Sequence, residues 1–153
     1  MRRTPSDEVV LAALRLAMGI SVQAADEIGT VSAVQLRAVT VLHQQPGANL
    51  SGLAQGMGVS VSVTSRLVDR LVAAGLVEKQ PSTSSGREIS LYLSPYGKET
   101  LDHYDELRLD RVRARLRELP ADEVAAVVSG LHVLIGGADQ GHRGPETMPV
   151  GDR

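Results

Sequence analysis

The sequence contains no cysteine, no phenylalanine and no tryptophan, and its only aromatic residues are three tyrosines. The lack of cysteine excludes disulfides, thiolate catalysis, thiol redox sensing and cysteine-ligated zinc. Binding of single-stranded nucleic acid on a stacking platform needs aromatic rings, so this function is disfavoured. The core must be built from Leu, Val, Ala and Ile, which pack well on helices, and we therefore expect an α-rich fold.

Net charge and long apolar runs are also scarce. The formal net charge is −2, so any binding to nucleic acid must come from a local basic surface. No apolar run approaches the roughly 18 to 20 residues of a membrane span. Asp7, Glu8 and Arg15 interrupt the segment that would form the apolar part of a signal peptide. The sequence predicts a cytoplasmic protein of one domain or one intertwined subunit, with no membrane partner.

Two capped helices are predicted in the first third of the chain. The first covers residues 6–28, with Ser6 as its N-cap and an apolar side that includes Ile20. Ser32 and Gln35 fit the capping box of a second helix, which the segment QPGAN ends. The first helix has an apolar face too wide for one small domain to cover, which favours pairing with a second subunit.

A short helix, a tight turn, a capped helix and a β-hairpin follow in that order. The short helix covers Ser51–Met57, the turn covers Gly58–Ser60, and the next helix is VSVTSRLVDRLVAAG, ended by Gly75. The segments LVEKQ and REISLYL alternate as two strands, with Ile89, Leu91 and Leu93 expected on the inner face. This order predicts a winged helix-turn-helix, in which the second helix of the pair can enter the major groove of DNA.

The side chains of this reading helix suggest how it would contact DNA. Val63, Leu67 and Leu71 are expected to be buried. The opposite face is then expected to expose Ser60, Ser62, Thr64, Ser65 and Arg66. Small hydroxyl side chains allow close approach, and Arg66 can read O6 and N7 of guanine. Arg70, one turn further on, could hold a backbone phosphate, and Asp69 is expected to orient an arginine.

Two more helices complete the predicted fold. Ser94 caps a long helix that has Pro95 at its first position and reaches about Leu119. Pro120 separates it from a last helix with a wide apolar face. The predicted fold is mainly α with a small β-wing. It divides into an N-terminal dimerisation helix (1–30), the winged helix-turn-helix (31–98), C-terminal dimerisation helices (99–136) and a disordered tail (137–153).

The segments LSGLAQGMGVSVSVTSRLVDRLVAAGLVEKQ and GREISLYLSPYGKETL carry a family resemblance. From about Val31 to Leu119, the order of the motifs resembles that of the MarR family of bacterial transcription regulators. The resemblance includes the motif formed by Leu93, Ser94 and Gly97 at the end of the wing. The resemblance implies a homodimer that binds pseudopalindromic double-stranded DNA. It also implies control by a small, often anionic aromatic effector. We expect a transcriptional repressor, with half-sites about 10 bp or roughly 34 Å apart.

The wing is where the sequence departs from the family pattern. The family has aspartate, any residue and arginine there, and the arginine enters the minor groove. This chain has Ser85, Gly86 and Arg87. The resemblance therefore assigns Arg87 to the minor groove and the polar tip with Ser84 and Ser85 to the DNA backbone. Because Ser85 carries no charge, two alternatives stay open: the arginine is less preorganised, or Glu88 or Asp69 braces it instead.

Several other interpretations stay open. The arginines between Asp102 and Glu118 alternate with acids, which is typical of a solvated helix face, with Arg108 or Arg111 near phosphate or in a ligand pocket as the lesser alternative. His43 falls close to where the family places effectors. The histidine spacing indicates no metal site, and neither a cofactor nor an enzyme activity is expected. The alternative function is a winged-helix module that binds protein, or a regulator with weakened DNA binding.

Overall fold

The computed structural model describes residues 4–82 and 88–140, the last four as backbone only. Six helices and a two-stranded antiparallel sheet form this part of the chain, which confirms the predicted fold class. Their bounds are α1 Pro5–Ile28, α2 Ala33–Gln44, α3 Leu50–Met57, α4 Val61–Ala73, β1 Val77–Pro81, β2 Ile89–Leu93, α5 Pro95–Leu116 and α6 Ala121–Gln140. Two compact units are present, one ending at Arg111 and one beginning at Val112.

Helix α1 begins slightly earlier than its sequence predicts. Its N-cap is Thr4 and not Ser6: the Thr4 hydroxyl accepts from the Asp7 N–H at 3.2 Å, and the Asp7 carboxylate accepts from the Thr4 N–H at 2.8 Å. Pro5 can occupy the first helical position because no partner is needed for an N–H there. Both hydrogen bonds with Thr4 lower the pKa of the exposed Asp7 carboxyl from its usual 3.8, and the bond from the Thr4 backbone has the larger effect.

Helix α1 is also more apolar than its sequence pattern predicts. By length and composition alone, Pro5–Ile28 could cross a membrane, so the prediction that no apolar run approaches the length of a membrane span is wrong for α1. In the structure, Ile20, Ala24 and Ala25 bury one side of its C-terminal half in the core. Tyr104 of α5 donates a hydrogen bond to the Ser21 carbonyl at 3.3 Å. The C-terminal half of α1 is therefore part of the first unit's core.

The core of the first unit is almost entirely aliphatic, as expected for a chain without Phe and Trp. Its fully buried leucines come from α2, α3, α4 and the start of the wing, and are Leu36, Leu42, Leu53, Leu71 and Leu76. The predicted capping box of α2 is present, since the Ser32 hydroxyl accepts from the Gln35 N–H at 3.3 Å and the Gln35 amide oxygen accepts from the Ser32 N–H at 3.0 Å. Local caps thus hold the helices that share this core.

The wing is anchored at its base. Strands β1 and β2 pair in the register Val77↔Leu93 to Pro81↔Ile89. The other edge of β2 also pairs: the Leu91 N–H donates to the Ala48 carbonyl at 2.9 Å, and the Gly47 N–H donates to the Leu91 carbonyl at 3.0 Å. The loop between α2 and α3 therefore holds the middle of β2.

The predicted inner face of β2 is only partly correct. Leu91 is buried and Leu93 is half-buried, but Ile89 is 51% exposed and Ser90 is buried. Ile89 pairs with Pro81 at the tip end of the ladder, whereas the core lies at its Val77–Leu93 end. Alternation alone places residues on faces, and it does not say how far along the strand the core extends.

The C-terminal helices differ from their predicted ends. Ser94 caps α5 as expected, its hydroxyl accepting from the Gly97 N–H at 2.9 Å. Helix α5 ends at Leu116, short of the predicted Leu119. Helix α6 continues to Gln140, past the predicted start of the tail at 137. The rest of that tail, residues 141–153, lies outside the described residues.

Candidate nucleic-acid interface

A tight turn joins α3 to α4. Gly58 has a φ of 67°, in the left-handed region that favours glycine, and its N–H donates to the Gln55 carbonyl at 3.1 Å. The next N–H, from Val59, donates to the Ala54 carbonyl at 3.1 Å. These bonds close the C-terminus of α3, so the direction in which α4 leaves the turn is fixed by backbone geometry.

Ser60 caps α4 and lies beside Ser62. The Ser60 hydroxyl accepts from the Val63 N–H at 3.4 Å and lies 3.1 Å from the Ser62 hydroxyl. Both serines are exposed. A helix N-terminus with free N–H groups attracts anions such as phosphate, and small hydroxyl side chains leave room for close approach.

The buried face of α4 is rotated by one residue from the predicted one. The residues that pack into the core are Thr64, Leu67, Val68 and Leu71, whereas Val63 is 52% exposed. Thr64 is fully buried, and its hydroxyl donates to the Ser60 carbonyl at 3.0 Å. The prediction that Thr64 faces DNA is therefore wrong. Its methyl group suits the core, and a hydroxyl that bonds the carbonyl four residues back needs no solvent.

Two arginines remain on the exposed side of α4. Arg66 and Arg70 are both exposed, and neither side chain forms an ion pair or hydrogen bond with any residue in 4–82 or 88–140. Their guanidinium groups are therefore available to a ligand. Ser65 is half-buried and lines a small cleft with Lys79 and Ile89 of the wing, so it lies on the flank of the helix that faces the hairpin.

Asp69 has a different partner from the one expected. Its carboxylate accepts a hydrogen bond from the Lys79 ammonium at 3.0 Å, which joins α4 to β1. The two side chains are 68% and 41% exposed, so the pair adds little to stability. The expectation that Asp69 orients an arginine of the reading helix finds no support within the described residues, since Asp69 neutralises the wing lysine instead.

The tip of the wing lies outside the described residues. This concerns Ser84, Ser85 and Arg87, whose predicted contacts with DNA stay predictions. The hairpin on either side is described: the Ser82 N–H donates to the Glu88 carbonyl at 2.8 Å, and the Glu88 side chain is exposed. The two strands thus remain paired up to the last described residues before the tip.

A second candidate site is an open cavity of about 530 Å³ between α1, α2 and α5. Its walls are mainly apolar and include Leu14, Met18 and Val22 of α1, Val41 of α2 and Tyr104 of α5. Its charged lining residues are Arg37 and Arg108. An apolar cavity with two cations on its wall suits a small aromatic molecule that carries an acid group.

The two cavity arginines differ in how they are held. Arg108 lies over the Tyr104 ring, 5.0 Å from its centroid, and pairs with Asp105 at 3.0 Å. Arg37 is exposed and has no ion pair within the described residues. Arg108 is thus preorganised but partly neutralised, whereas Arg37 keeps its full charge for an incoming acid.

The cavity residues could be predicted from the sequence only in part. The charge pattern indicates Arg108 as a lesser alternative, but it does not indicate Arg37, because an exposed arginine on an amphipathic helix carries no signal. The other residues considered there do not line the cavity: Arg111 pairs with Glu27, and His43 is exposed near the end of α2. Within the described ranges no group of three or more His, Asp or Glu could hold a metal ion.

Comparison with known proteins agrees with this geometry. Residues 31–89 match the model of the MarR family. HTH-type transcriptional regulator YfiV of Bacillus subtilis (strain 168) is 28% identical over 104 residues, which are 68% of this chain. The match spans 65% of the length of YfiV.

Solved structures extend the likeness over most of the chain. RV1404 from Mycobacterium tuberculosis superposes with a TM-score of 0.77 and 26% identity, over 89% of this chain and 95% of that one. A mutant of S. aureus MepR bound to an oligodeoxyribonucleotide gives a TM-score of 0.64 at 13% identity, over 89% and 99% of the two chains, which is a likeness of fold. The family whose model matches consists of transcription regulators and not enzymes, and YfiV is named as a transcriptional regulator. In its helix-turn-helix, its wing and these matches, the chain is similar to regulators of the MarR family.

Proposed function

We propose that this protein is a dimeric, sequence-specific DNA-binding repressor of transcription that acts in the cytoplasm. The observation that carries the proposal is the rigid presentation of Ser62 and Arg66. Leu67, Val68 and Leu71 bury the opposite side of the same helix, so the helix presents its exposed side in one orientation. Arg66 reads a guanine in the major groove, while Arg70 and the N-terminus of α4 hold phosphates. The fold that it shares with DNA-bound MepR supports this assignment.

The dimer is proposed from apolar side chains that are left uncovered. On α1 the exposed set is Val9, Val10, Leu14, Leu16, Met18 and Val22. On α6 it is Val127, Val128, Leu131, Val133, Leu134 and Ile135. Monomeric proteins rarely expose contiguous apolar surface of this kind, and a second copy of the chain would remove it from water. Two subunits would then place their reading helices in successive major grooves of a pseudopalindrome.

The cavity between α1, α2 and α5 is the proposed effector site. A small aromatic acid would fill its apolar part, and its carboxylate would bind Arg37 and compete with Asp105 for Arg108. Such a ligand weakens DNA binding if it favours a state in which the reading helices no longer match the two half-sites. The fluorescent acid 2-naphthoate has this chemistry and serves as a probe.

DNA binding is tested with duplexes selected by the wild-type protein from a random library. Fluorescence anisotropy then measures affinity for the selected duplex and for a scrambled one. We expect Arg66→Ala to cost about 1–3 kcal/mol of binding and to relax the base preference at one position of each half-site. The matched control is Arg117→Ala, which removes the same charge from an exposed position outside α4 and should bind as the wild type does.

The same titrations, repeated over a series of salt concentrations, separate this function from a module that binds protein. Contacts with phosphates make the logarithm of the binding constant fall linearly with the logarithm of the salt concentration. A wild type that selects no sequence and shows no salt dependence would refute DNA reading and favour a protein partner. Sedimentation of the free protein as a monomer at micromolar concentration would refute the dimer.

A further inference from the structure

Helix α2 lies between the cavity and the helix-turn-helix. Arg37, Thr40 and Val41 of α2 line the cavity. Of these, Val41 is the buried residue, with 8% of its surface exposed, and it also contacts Gly56 of α3. One side chain therefore faces both the proposed ligand and the first helix of the reading pair.

The contact between α2 and α3 is unusually close at Gly56. A Cβ added to Gly56 would lie 2.5 Å from Cγ1 of Val41, a distance that real Cβ atoms do not show. The backbone of Gly56 does not have the positive φ that requires glycine. Glycine is therefore needed here for space, which accounts for a residue that weakens a short helix by about 1 kcal/mol relative to alanine.

A displacement of Val41 must also displace the helices α2 and α3 that meet at this residue. Valine in a helix has essentially one χ1 rotamer, so its methyl groups cannot swing away from a new neighbour. Helix α3 in turn carries α4, because the turn at Gly58 is closed by hydrogen bonds and Leu53 and Met57 share one core with Leu67. A displacement at Val41 is thus passed to the reading helix through packed atoms.

We propose that Val41, seated against Gly56, is the positioning residue that transmits occupancy of the cavity to the reading helix. An aromatic acid in the cavity contacts Val41 and changes how α2 and α3 pack. The inference rests on the proposed function, because it assumes that α4 reads DNA and that the cavity binds the effector. It adds the contact through which the two sites are coupled.

The test measures DNA affinity with and without saturating 2-naphthoate, using the selected duplex and full-length protein. In the wild type the ligand should weaken DNA binding by roughly five- to 150-fold, the usual range of coupling between two sites. Val41→Ala is measured at a 2-naphthoate concentration that saturates this variant, as followed by fluorescence, so that any change in its ligand affinity is corrected for. The ligand should then weaken its DNA binding far less than it does in the wild type. The matched control is Val39→Ala, which shortens a fully buried valine on the same helix that does not line the cavity. In this variant the ligand should weaken DNA binding as much as it does in the wild type.

A second comparison needs no ligand. Gly56→Ala should weaken DNA binding by itself, because its Cβ pushes Val41 away from α3. Gly52→Ala is the control on the same helix, since its Cβ would meet other atoms no closer than 3.5 Å, and it should bind as the wild type does. The double variant Val41→Ala/Gly56→Ala should regain affinity, because the smaller side chain makes room for the new Cβ.

The outcomes separate the inference from the function on which it rests. Two results together support the role of Val41: the double variant regains DNA affinity, and 2-naphthoate no longer weakens DNA binding by Val41→Ala. The role is overturned if the losses of affinity in the double variant are additive, or if 2-naphthoate weakens DNA binding equally in Val41→Ala and Val39→Ala. If the wild type does not bind 2-naphthoate, the effector proposal fails and the ligand-free comparison alone decides on Val41. If the wild type binds no DNA, the proposed function and the inference both fail.

Discussion

Gly97→Ala is the substitution for which the structure gives the clearest expectation of lost stability. A Cβ at Gly97 would lie 2.0 Å from the carbonyl oxygen of Leu76, and contacts under 3.0 Å do not occur. The obstacle is backbone, so the start of α5 must move by about 1 Å. That start is held to the end of α4 and the beginning of β1 by Ser94, whose N–H donates to the Leu76 carbonyl at 3.0 Å and whose hydroxyl donates to the Gly75 carbonyl.

The size of the effect follows from three contributions. Overpacking of a tight contact costs about 1–3 kcal/mol. Weakening the two hydrogen bonds of Ser94 costs about 1 kcal/mol each. The better helix propensity of alanine offsets about 1 kcal/mol. We therefore expect Gly97→Ala to lower the free energy of unfolding by about 2–4 kcal/mol, which for a chain of this length corresponds to a fall of about 6–12 °C in Tm.

The assay is thermal and urea unfolding followed by circular dichroism, at one fixed protein concentration because a dimer unfolds in a concentration-dependent way. Gly52→Ala is the control: it makes the same change in a helix where the new Cβ has ordinary contacts of 3.5 Å, and it should be as stable as the wild type or slightly more stable. Equal stability of Gly97→Ala and Gly52→Ala would refute the argument that α5 begins in backbone contact with Leu76.

Three further predictions concern the reading helix, the cavity and the first cap. Thr64→Val should leave affinity for the selected duplex unchanged in anisotropy while lowering stability by about 1 kcal/mol, and a loss of affinity would contradict its burial. Arg37→Gln should weaken binding of 2-naphthoate by roughly tenfold in fluorescence titration, since a charge-assisted hydrogen bond is lost, and equal affinity would remove Arg37 from the site. The pKa of Asp7 should lie below 3.8 by NMR titration, so its contribution to the cap is present above that pH and is lost as the pH falls through the lower folded-state value. A measured pKa of 3.8 or higher would contradict the capping box.

The local features of the fold could be predicted because they depend on neighbouring residues. Ser32 and Gln35 form a capping box within four residues, and the left-handed glycines Gly58 and Gly75 end their helices. The order of these elements is enough to predict the helix-turn-helix and the wing. One N-cap was predicted at the wrong residue, Ser6 instead of Thr4. Hydroxyl residues lie on both sides of Pro5 and both fit the pattern of an N-cap, and the capping box with Asp7 selects Thr4.

The sequence by itself thus determined the element order, most of the caps and the exposed arginine of the reading helix. Only the tertiary structure decided which side of α4 is buried, because Val63 and Thr64 both fit a helical period and the neighbouring helices accept the threonine. The tertiary structure also forms the cavity, because its two arginines, Arg37 and Arg108, lie far apart in the chain. The same is true of the close contact between Val41 and Gly56. Periodicity reports neighbours along one helix, whereas distances between helices follow from how all the side chains in the core fit together.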